Sequence, residues 1–430
     1  MNSSIFALAS APGRAGVAVV RVSGPLAGSC IQALAGPVPP PRQAVLRRLM
    51  HRGGEIDRAL LLWFVGPHSF TGEDVAEFHI HGGRAVREAL FAALSELGLR
   101  PAEPGEFSRR AVENGKLDLT RAEAIADLVD AETPAQLRQA LRQHDGVLAD
   151  LYEGWRTQLI AALGRAEAAI DFSDDEVGEA EFAAARRAAA EIYQQIQEHM
   201  DDSGRGESLR EGLRLTILGP PNAGKSSLIN ALARRDVAIV SDTPGTTRDV
   251  VEARLNLGGY LLQVADTAGV RETAEPIEAE GVRRALAHAS GGMTLLLLDG
   301  AAENPRAGLP ADLPEPDLTV WNKADLGFAR EGLSIALKTG EGVSELLKML
   351  QQKVQHKLES DAPALTRPRH RHALQEAAAA LQHGLAAPQD HPELLAEDLR
   401  LAMRAIGRIT GRVDVEELLD FVFRDFCIGK

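Results

Sequence analysis

The sequence predicts an α+β multidomain protein, in which an α/β block with a phosphate-gripping loop is inserted into an all-α region behind an N-terminal α+β domain. Three observations predict it. A strand-like run, LRLTIL at 213–218, leads into GPPNAGKS at 219–226 and then into the apolar helix start SLINALA. Helical patterning rich in Ala, Glu, Leu and Arg fills the chain from Leu119 to about Met200 and returns after Pro363. Before that, the first 117 residues mix short strand-like runs with a helix. At 430 residues the chain exceeds one ordinary core, and length alone suggests roughly three domains. The expected boundaries are 1–117 for the N-terminal domain, 118–212 with 356–430 for a discontinuous helical domain, and 213–355 for the inserted block.

Taken in order, 4–23 is a short apolar run, a Gly/Pro turn and a second strand-like run ending at Arg21. Residues 37–42 (PVPPPR) read as loop, 59–66 and 75–80 as strands around a turn at 67–74, and Arg84 to Leu97 as a helix closed by Gly98. The acidic stretch 171–181 reads as a solvated loop and helix start. Residues 203–212 (SGRGESLREG) read as a polar linker.

Composition narrows the class. The chain is 45% hydrophobic and 25% charged with only 4% aromatics, the profile of a soluble globular protein. Two cysteines, Cys30 and Cys427, sit at opposite ends of the chain; that is neither a disulfide framework nor zinc spacing and suits a reducing, cytoplasmic setting. No signal-peptide pattern opens the sequence, and the longest aliphatic run, Leu295–Leu298, is far short of a membrane span. The net charge of −14 means that any RNA would be held weakly by this chain alone, with a partner supplying much of the phosphate contact.

GPPNAGKS matches G-x-x-x-x-G-K-[ST] in full and has the strand–loop–helix context the motif needs. Backbone N–H groups of Asn222, Ala223, Gly224, Lys225, Ser226 and Ser227 are expected around phosphate oxygens. Lys225 would reach the β- and γ-phosphates and the Ser226 hydroxyl would ligate Mg²⁺. WNKAD at 321–325 selects the base: Asp325 accepts from the guanine N1–H and 2-amino groups, Asn322 pairs with the other edge, and the Lys323 stem covers the ring. Adenine would leave that carboxylate unpaired. Between them lies DTAG, with Asp266 organising Mg²⁺ and Thr267, Ala268 and Gly269 following, the last sensing the γ-phosphate. GTTRD at 245–249 offers Thr247 as a second Mg²⁺ hydroxyl. Ala336, Leu337 and Lys338 stand where such proteins often show Ser-Ala-Lys, with base contacts made by backbone. The order of motifs is that of a GTPase.

Val270 follows DTAG where Ras-like enzymes place the water-orienting Gln. A monovalent cation at the phosphates could do an arginine finger's electrostatic work. Asn222 is a suitable oxygen ligand, joined by the loop Ser241, Asp242, Thr243, Pro244, Gly245, Thr246; an Asn that merely stabilises the turn reads the same way.

With PGRAGVAVVRVSG (12–24), SFTGEDVAEFHIHGG (69–83), the block at 104–133, DTAGVRET and the terminal CIGK (427–430), the chain resembles the MnmE (TrmE) family of tRNA uridine-modification GTPases over nearly its whole length. The resemblance implies a homodimer formed through the N-terminal domain. It implies that this domain binds a tetrahydrofolate derivative (5-formyl- or 5,10-methylene-tetrahydrofolate) as one-carbon donor. It implies hydrolysis activated by K⁺ and by G-domain dimerisation, and a flavin-containing partner of the MnmG (GidA) family. The product would be an aminomethyl or carboxymethylaminomethyl group on C5 of the wobble uridine, position 34, of certain tRNAs. Residue by residue, it places Arg21, Glu77, Lys116 and Lys430 at folate, and Asn222, Ser241, Thr243 and Thr246 at K⁺. It makes Glu278 the residue that orients water indirectly, and Cys427 a candidate in the modification chemistry alongside the catalytic Lys225. His79 and His81 read as ordinary strand residues, and Arg109 and Arg110 as either RNA phosphate contacts or surface residues. A GTPase switch that only assembles complexes would share every G-domain motif. The acidic helical flank and CIGK tail, in place of a basic RNA-binding module, favour the modification enzyme.

Overall fold

The computed structural model describes residues 3–171, 176–235, 237–239, 252–265, 292–310, 313–360, 362–388, 391–413, 416–424, 426 and 429. The chain divides into two compact units: Met1–Ala126 with His144–Glu153 and Ile406–Lys430, and Asp127–Gln143 with Gly154–Ala405. Its secondary structure is the mixed α and β content that the sequence predicts.

The first unit holds a six-stranded sheet in the order β3-β4-β5-β2-β1-β6. The strands are β1 (Ile5–Leu8), β2 (Ala15–Ser23), β3 (Val45–His51), β4 (Gly54–Phe64), β5 (Val75–Gly82) and β6 (Arg100–Pro101). Neighbours run antiparallel except β1 and β6. Side chains alternate between faces of a strand, and here one face is buried: Val20, Val22, Leu61, Phe78 and Ile80 pack on Ile31 and Leu34 of helix Ala27–Ala35 and on Leu90 and Leu94 of helix Arg84–Glu96. The opposite face is covered over β1, where Ile5 and Ala7 pack on Phe107, and it carries the half-buried Arg21, Glu77 and His79 on β2 and β5. Leu46 and Leu60, cross-strand partners on β3 and β4, also remain 64% and 45% exposed.

β3 and the start of β4 escaped the sequence reading. VLRRLMH turns its apolar Leu46 outward and breaks register at a bulge between Leu49 and Met50, so the period-2 signal is scrambled. The helix ending before Gly98 forms as expected, over Arg84–Glu96.

The second unit is built on another six-stranded sheet, in the order β12-β11-β10-β7-β9-β8. These are β7 (Leu213–Leu218), β8 (Glu252–Leu257), β9 (Tyr260–Ala265), β10 (Met293–Asp299), β11 (Leu318–Asn322) and β12 (Leu333–Ser334). All pairs are parallel except β8 with β9. Leu295, Leu296, Leu297 and Leu298 are all fully buried, because a parallel sheet is covered on both faces. Helix Val343–Leu358 lays Leu346, Leu350, Val354 and Leu358 against the same core at helical spacing.

The expected linker at 203–212 is instead a short helix, Arg205–Glu211. Ser-Gly-Arg-Gly reads as loop, but Gly206 is buried against the Leu365 carbonyl and the Ala364 methyl, an approach that any side chain would block. Arg371 ties this junction together, donating to Asp202 Oδ1 at 2.7 Å and to the Met200 carbonyl at 2.9 Å. His199 lies edge-on to Trp155, with ring centroids 5.5 Å apart. Burial pushes its imidazole down to about 4; Asp202 opposes that shift, while His370, Arg371 and Arg205 reinforce it. Among the described residues no helix is long and apolar enough to cross a membrane.

Candidate functional site

The phosphate loop leaves the carboxyl end of β7, and helix Lys225–Ala233 begins inside it. Ligands of parallel sheets gather outside the carboxyl ends of their strands. Gly224 has φ +104°, and a Cβ there would strike the Asn322 amide nitrogen, so the sequence requires glycine. Asn222, with φ +58°, occupies the left-handed region that Asn tolerates, and its side chain is exposed. Lys225 Nζ folds back onto the loop, donating to the Gly219 carbonyl at 2.7 Å and to the Pro220 carbonyl at 3.1 Å. Two loop carbonyls thus hold an ammonium at a helix N-terminus. A phosphate would offer the ammonium charged acceptors in place of these neutral carbonyls. Ser226 is exposed at the head of the helix, where a hydroxyl can serve Mg²⁺.

The segment expected to read the base closes on the same loop. Asn322, at the end of β11 and 4% exposed, donates from Nδ2 to the Ala223 carbonyl at 2.8 Å. Its Oδ1 accepts from the Leu337 backbone N–H at 3.3 Å. The side chain expected at the guanine edge is therefore also a brace, with one donor and one acceptor direction left over. Lys323 adopts φ +68° and pairs its ammonium with Asp299 Oδ2 at 2.6 Å. Asp299 was missed in the sequence, although an acid ending the buried run LLLLD at the carboxyl edge of a parallel strand was the available signal. Asp325 is exposed in the short 3₁₀ turn Ala324–Leu326. Ala336 is buried and Lys338 exposed in the turn that follows β12. The structure thus brings Asn222, Ala223, Gly224, Lys225, Ser226, Asn322, Lys323 and Asp325 to one edge of the sheet. Ser241, Asp242, Thr243, Pro244, Gly245, Thr246, Thr247, Asp266, Thr267, Ala268, Gly269 and Glu278 lie outside the described residues.

In the first unit, sheet register sets Arg21 directly opposite Glu77. Arg21 Nε and Nη2 meet Glu77 Oε1 at 3.0 and 2.9 Å. Phe70 and Phe107 flank the guanidinium, with ring centroids 5.4 and 5.8 Å away. His79 Nε2 sits 3.4 Å from the other Glu77 oxygen. The aromatic pair and His79 were not anticipated. Lys116 is exposed, and a Cβ on Gly72 would lie 3.2 Å from its stem, so the loop 69–74 touches Arg21 through Phe70 and lies against Lys116 at Gly72. Gly429 is buried against the carbonyl of Leu8, one residue beyond Ala7, the β1 partner of Arg21. Cys427 and Lys430 lie outside the described residues. A half-buried carboxylate–guanidinium pair beside an aromatic ring suits a pterin edge, and nearby lysine suits an acidic tail.

Arg110 does not face RNA. It is 9% exposed and is spent on Glu73 Oε2 at 3.0 Å, Glu106 Oε1 at 2.9 Å and the Ser3 carbonyl at 2.9 Å. Burial would raise Glu106, but Arg100, the Glu103 backbone N–H and Arg110 together hold its carboxyl below the usual range. Arg109 is paired with Glu113 at 2.9 Å and Asp420 at 2.6 Å.

A family model described as the MnmE helical domain matches residues 119–427, and one described as the GTP-binding protein TrmE N-terminus matches 4–116. The chain belongs to the MnmE family. It is 54% identical to the tRNA modification GTPase MnmE of Rhodospirillum rubrum, over 99% of this chain and 99% of the relative. It is 53% identical to the protein of the same name from Paramagnetospirillum magneticum over the full length of both. The MnmE protein of Maricaulis maris is 51% identical over the full length of both chains.

Proposed function

We infer that this MnmE-family chain is a GTP hydrolase acting in tRNA modification. The observation that supports the reading is the Asn322 bridge between Ala223 and Leu337, which joins the end of β11, expected to read guanine, to the phosphate loop. In the site, backbone N–H groups of 222–227 hold the phosphates and Lys225 neutralises their charge, while Ser226 and Thr247 hold Mg²⁺. Asp325 accepts from guanine, and Ala336, Leu337 and Lys338 offer backbone to the base. Asp266 would help organise Mg²⁺, and Thr267 to Gly269 would follow the γ-phosphate. K⁺ held by Asn222, Ser241, Thr243 and Thr246 would supply the positive charge that other GTPases take from an arginine. Glu278 orients water indirectly, since Val270 cannot.

The N-terminal domain, 1–117, would bind tetrahydrofolate through Arg21, Glu77, Lys116 and Lys430, and the bound folate would supply a one-carbon unit. A homodimer through the β3–β4 end of the sheet, where Leu46 and Leu60 are exposed, suits that domain. With a flavin-containing MnmG-type partner, the chain would build an aminomethyl or carboxymethylaminomethyl group on C5 of uridine 34. Cys427 lies in the CIGK tail, whose Gly429 packs beside the strand paired with Arg21.

Purified chain is expected to hydrolyse GTP far faster than ATP, and faster in KCl than in NaCl at equal ionic strength. Equal GTP and ATP rates would overturn the hydrolase reading; equal rates in the two salts would remove K⁺ alone. Deleting 427–430 should abolish wobble modification, read by mass spectrometry of tRNA nucleosides, while leaving hydrolysis intact.

A further inference from the structure

We propose that Glu132 is a positioning residue for the nucleotide site, acting through Arg254 on the hairpin that joins its two phosphate-sensing segments. The inference rests on the GTPase reading above. β8 begins just after GTTRD, and β9 ends at Ala265, the residue before DTAG. Any shift of the hairpin therefore moves the chain entering or leaving both motifs.

The hairpin is held by a segment from far earlier in the sequence. Helix Pro134–His144 opens with Thr-Pro-Ala-Gln. Thr133 and Gln136 form a capping box: Gln136 Oε1 accepts from the Thr133 N–H at 3.0 Å, and the Gln136 N–H reaches Thr133 Oγ1 at 3.4 Å. Proline follows at the first helical position, where a missing N–H costs nothing. The Ala135 N–H, among those that a helix start leaves unpaired, donates to the Gly259 carbonyl at the hairpin turn, at 3.0 Å. So the hairpin caps the helix. Ala135 itself is 3% exposed and shares a core with Leu255, Leu257, Tyr260, Leu262 and Val264.

Arg254 is the node. Its Nη1 meets Glu132 Oε1 at 2.6 Å, and its backbone carbonyl accepts from the Ile239 N–H at 2.8 Å, six residues before the start of GTTRD. Gln136 Nε2 donates to the Arg210 carbonyl at 2.8 Å, just before β7 and the phosphate loop. One helix start thus braces the strand leading to the phosphate grip and the hairpin between the two sensing motifs. The Glu132–Arg254 pair is about one-third exposed. It contributes little stability and is better suited to fixing the hairpin's position, so that nucleotide state and the rest of the chain bias one another.

The test uses the full chain and compares the affinities for GDP and for a non-hydrolysable GTP analogue. In E132R the ratio of the two should shift by about threefold or more. R254E should give a shift of similar size, and the double reversal E132R/R254E should restore the starting ratio. E132Q, which keeps the side chain's shape, should give a smaller shift in the same sense and covers the case in which the reversal does not fold. A purely structural role would lower the melting temperature and leave the ratio unchanged. An unchanged ratio in E132R or E132Q, or a double reversal that fails to restore it, overturns the proposal. If the parent chain does not prefer GTP over ATP, the GTPase reading itself has failed.

Discussion

The two sheets have six strands each and expose opposite strategies. In the parallel sheet, β10 buries Leu295 through Leu298 on both faces, so chemistry can sit only at the strand ends, and Asn322, Lys323, Asp299 and the phosphate loop all do. In the mainly antiparallel sheet one face is only partly covered, so Arg21 and Glu77 stand mid-strand, paired by register and half-buried. Full burial of both faces pushes a site to an edge; a partly covered face leaves room for a site on the sheet itself.

The sharpest way to break this comparison is at the edge of the parallel sheet. Lys225→Ala should cut GTP hydrolysis by more than about 100-fold, measured by phosphate release, and leave binding of a tetrahydrofolate derivative to the N-terminal domain unchanged. Loss of both would mean that the two sites are not separable. Next, Asp325→Asn should weaken GTP binding by about two orders of magnitude and improve binding of xanthosine triphosphate, whose 2-oxo group accepts where guanine donates. Titration with both nucleotides reads this, and an unchanged preference would remove Asp325 from the base site. On the open sheet face, Glu77→Gln should weaken folate binding about tenfold, by calorimetry, with hydrolysis within twofold of the parent.

A smaller effect concerns pH. Burial lowers His199 to about 4 from an ordinary value of 6.5, so its imidazole is neutral when folded and charges on unfolding. The contribution to stability is complete above pH 6.5 and is lost as pH falls from 6.5 toward 4. The loss should be of order 2 kcal/mol near pH 4.5, and His199→Asn should flatten that slope in thermal melts. Smallest is Cys30, which burial pushes up to about 12. It should stay unreactive toward a thiol reagent at pH 8 until the fold is opened.

Much of the candidate nucleotide site was legible because a phosphate loop constrains residue types locally: glycine for the close approach at Gly224, a lysine folded onto the loop, and a hydroxyl at the helix start. The parallel strands were legible because double burial leaves unbroken apolar runs. What escaped lies in long-range pairing. Leu46 faces outward, so β3 lacks its alternation. Phe70 and Phe107 meet Arg21 only once the sheet has formed. Gly206 reads as flexible until Leu365 packs on it. Arg110, in the pair Arg109–Arg110, reads equally as an RNA contact or a surface residue, and only folding reveals Glu73 and Glu106 around it.

The carboxamide of Asn322 acts as a single bolt through two halves of one pocket. Substituting it would loosen the grip on inorganic triphosphate, which has no base at all, together with the grip on guanosine. A variant at this position would then pass for a change in base choice while in fact unfastening the floor on which the phosphates rest.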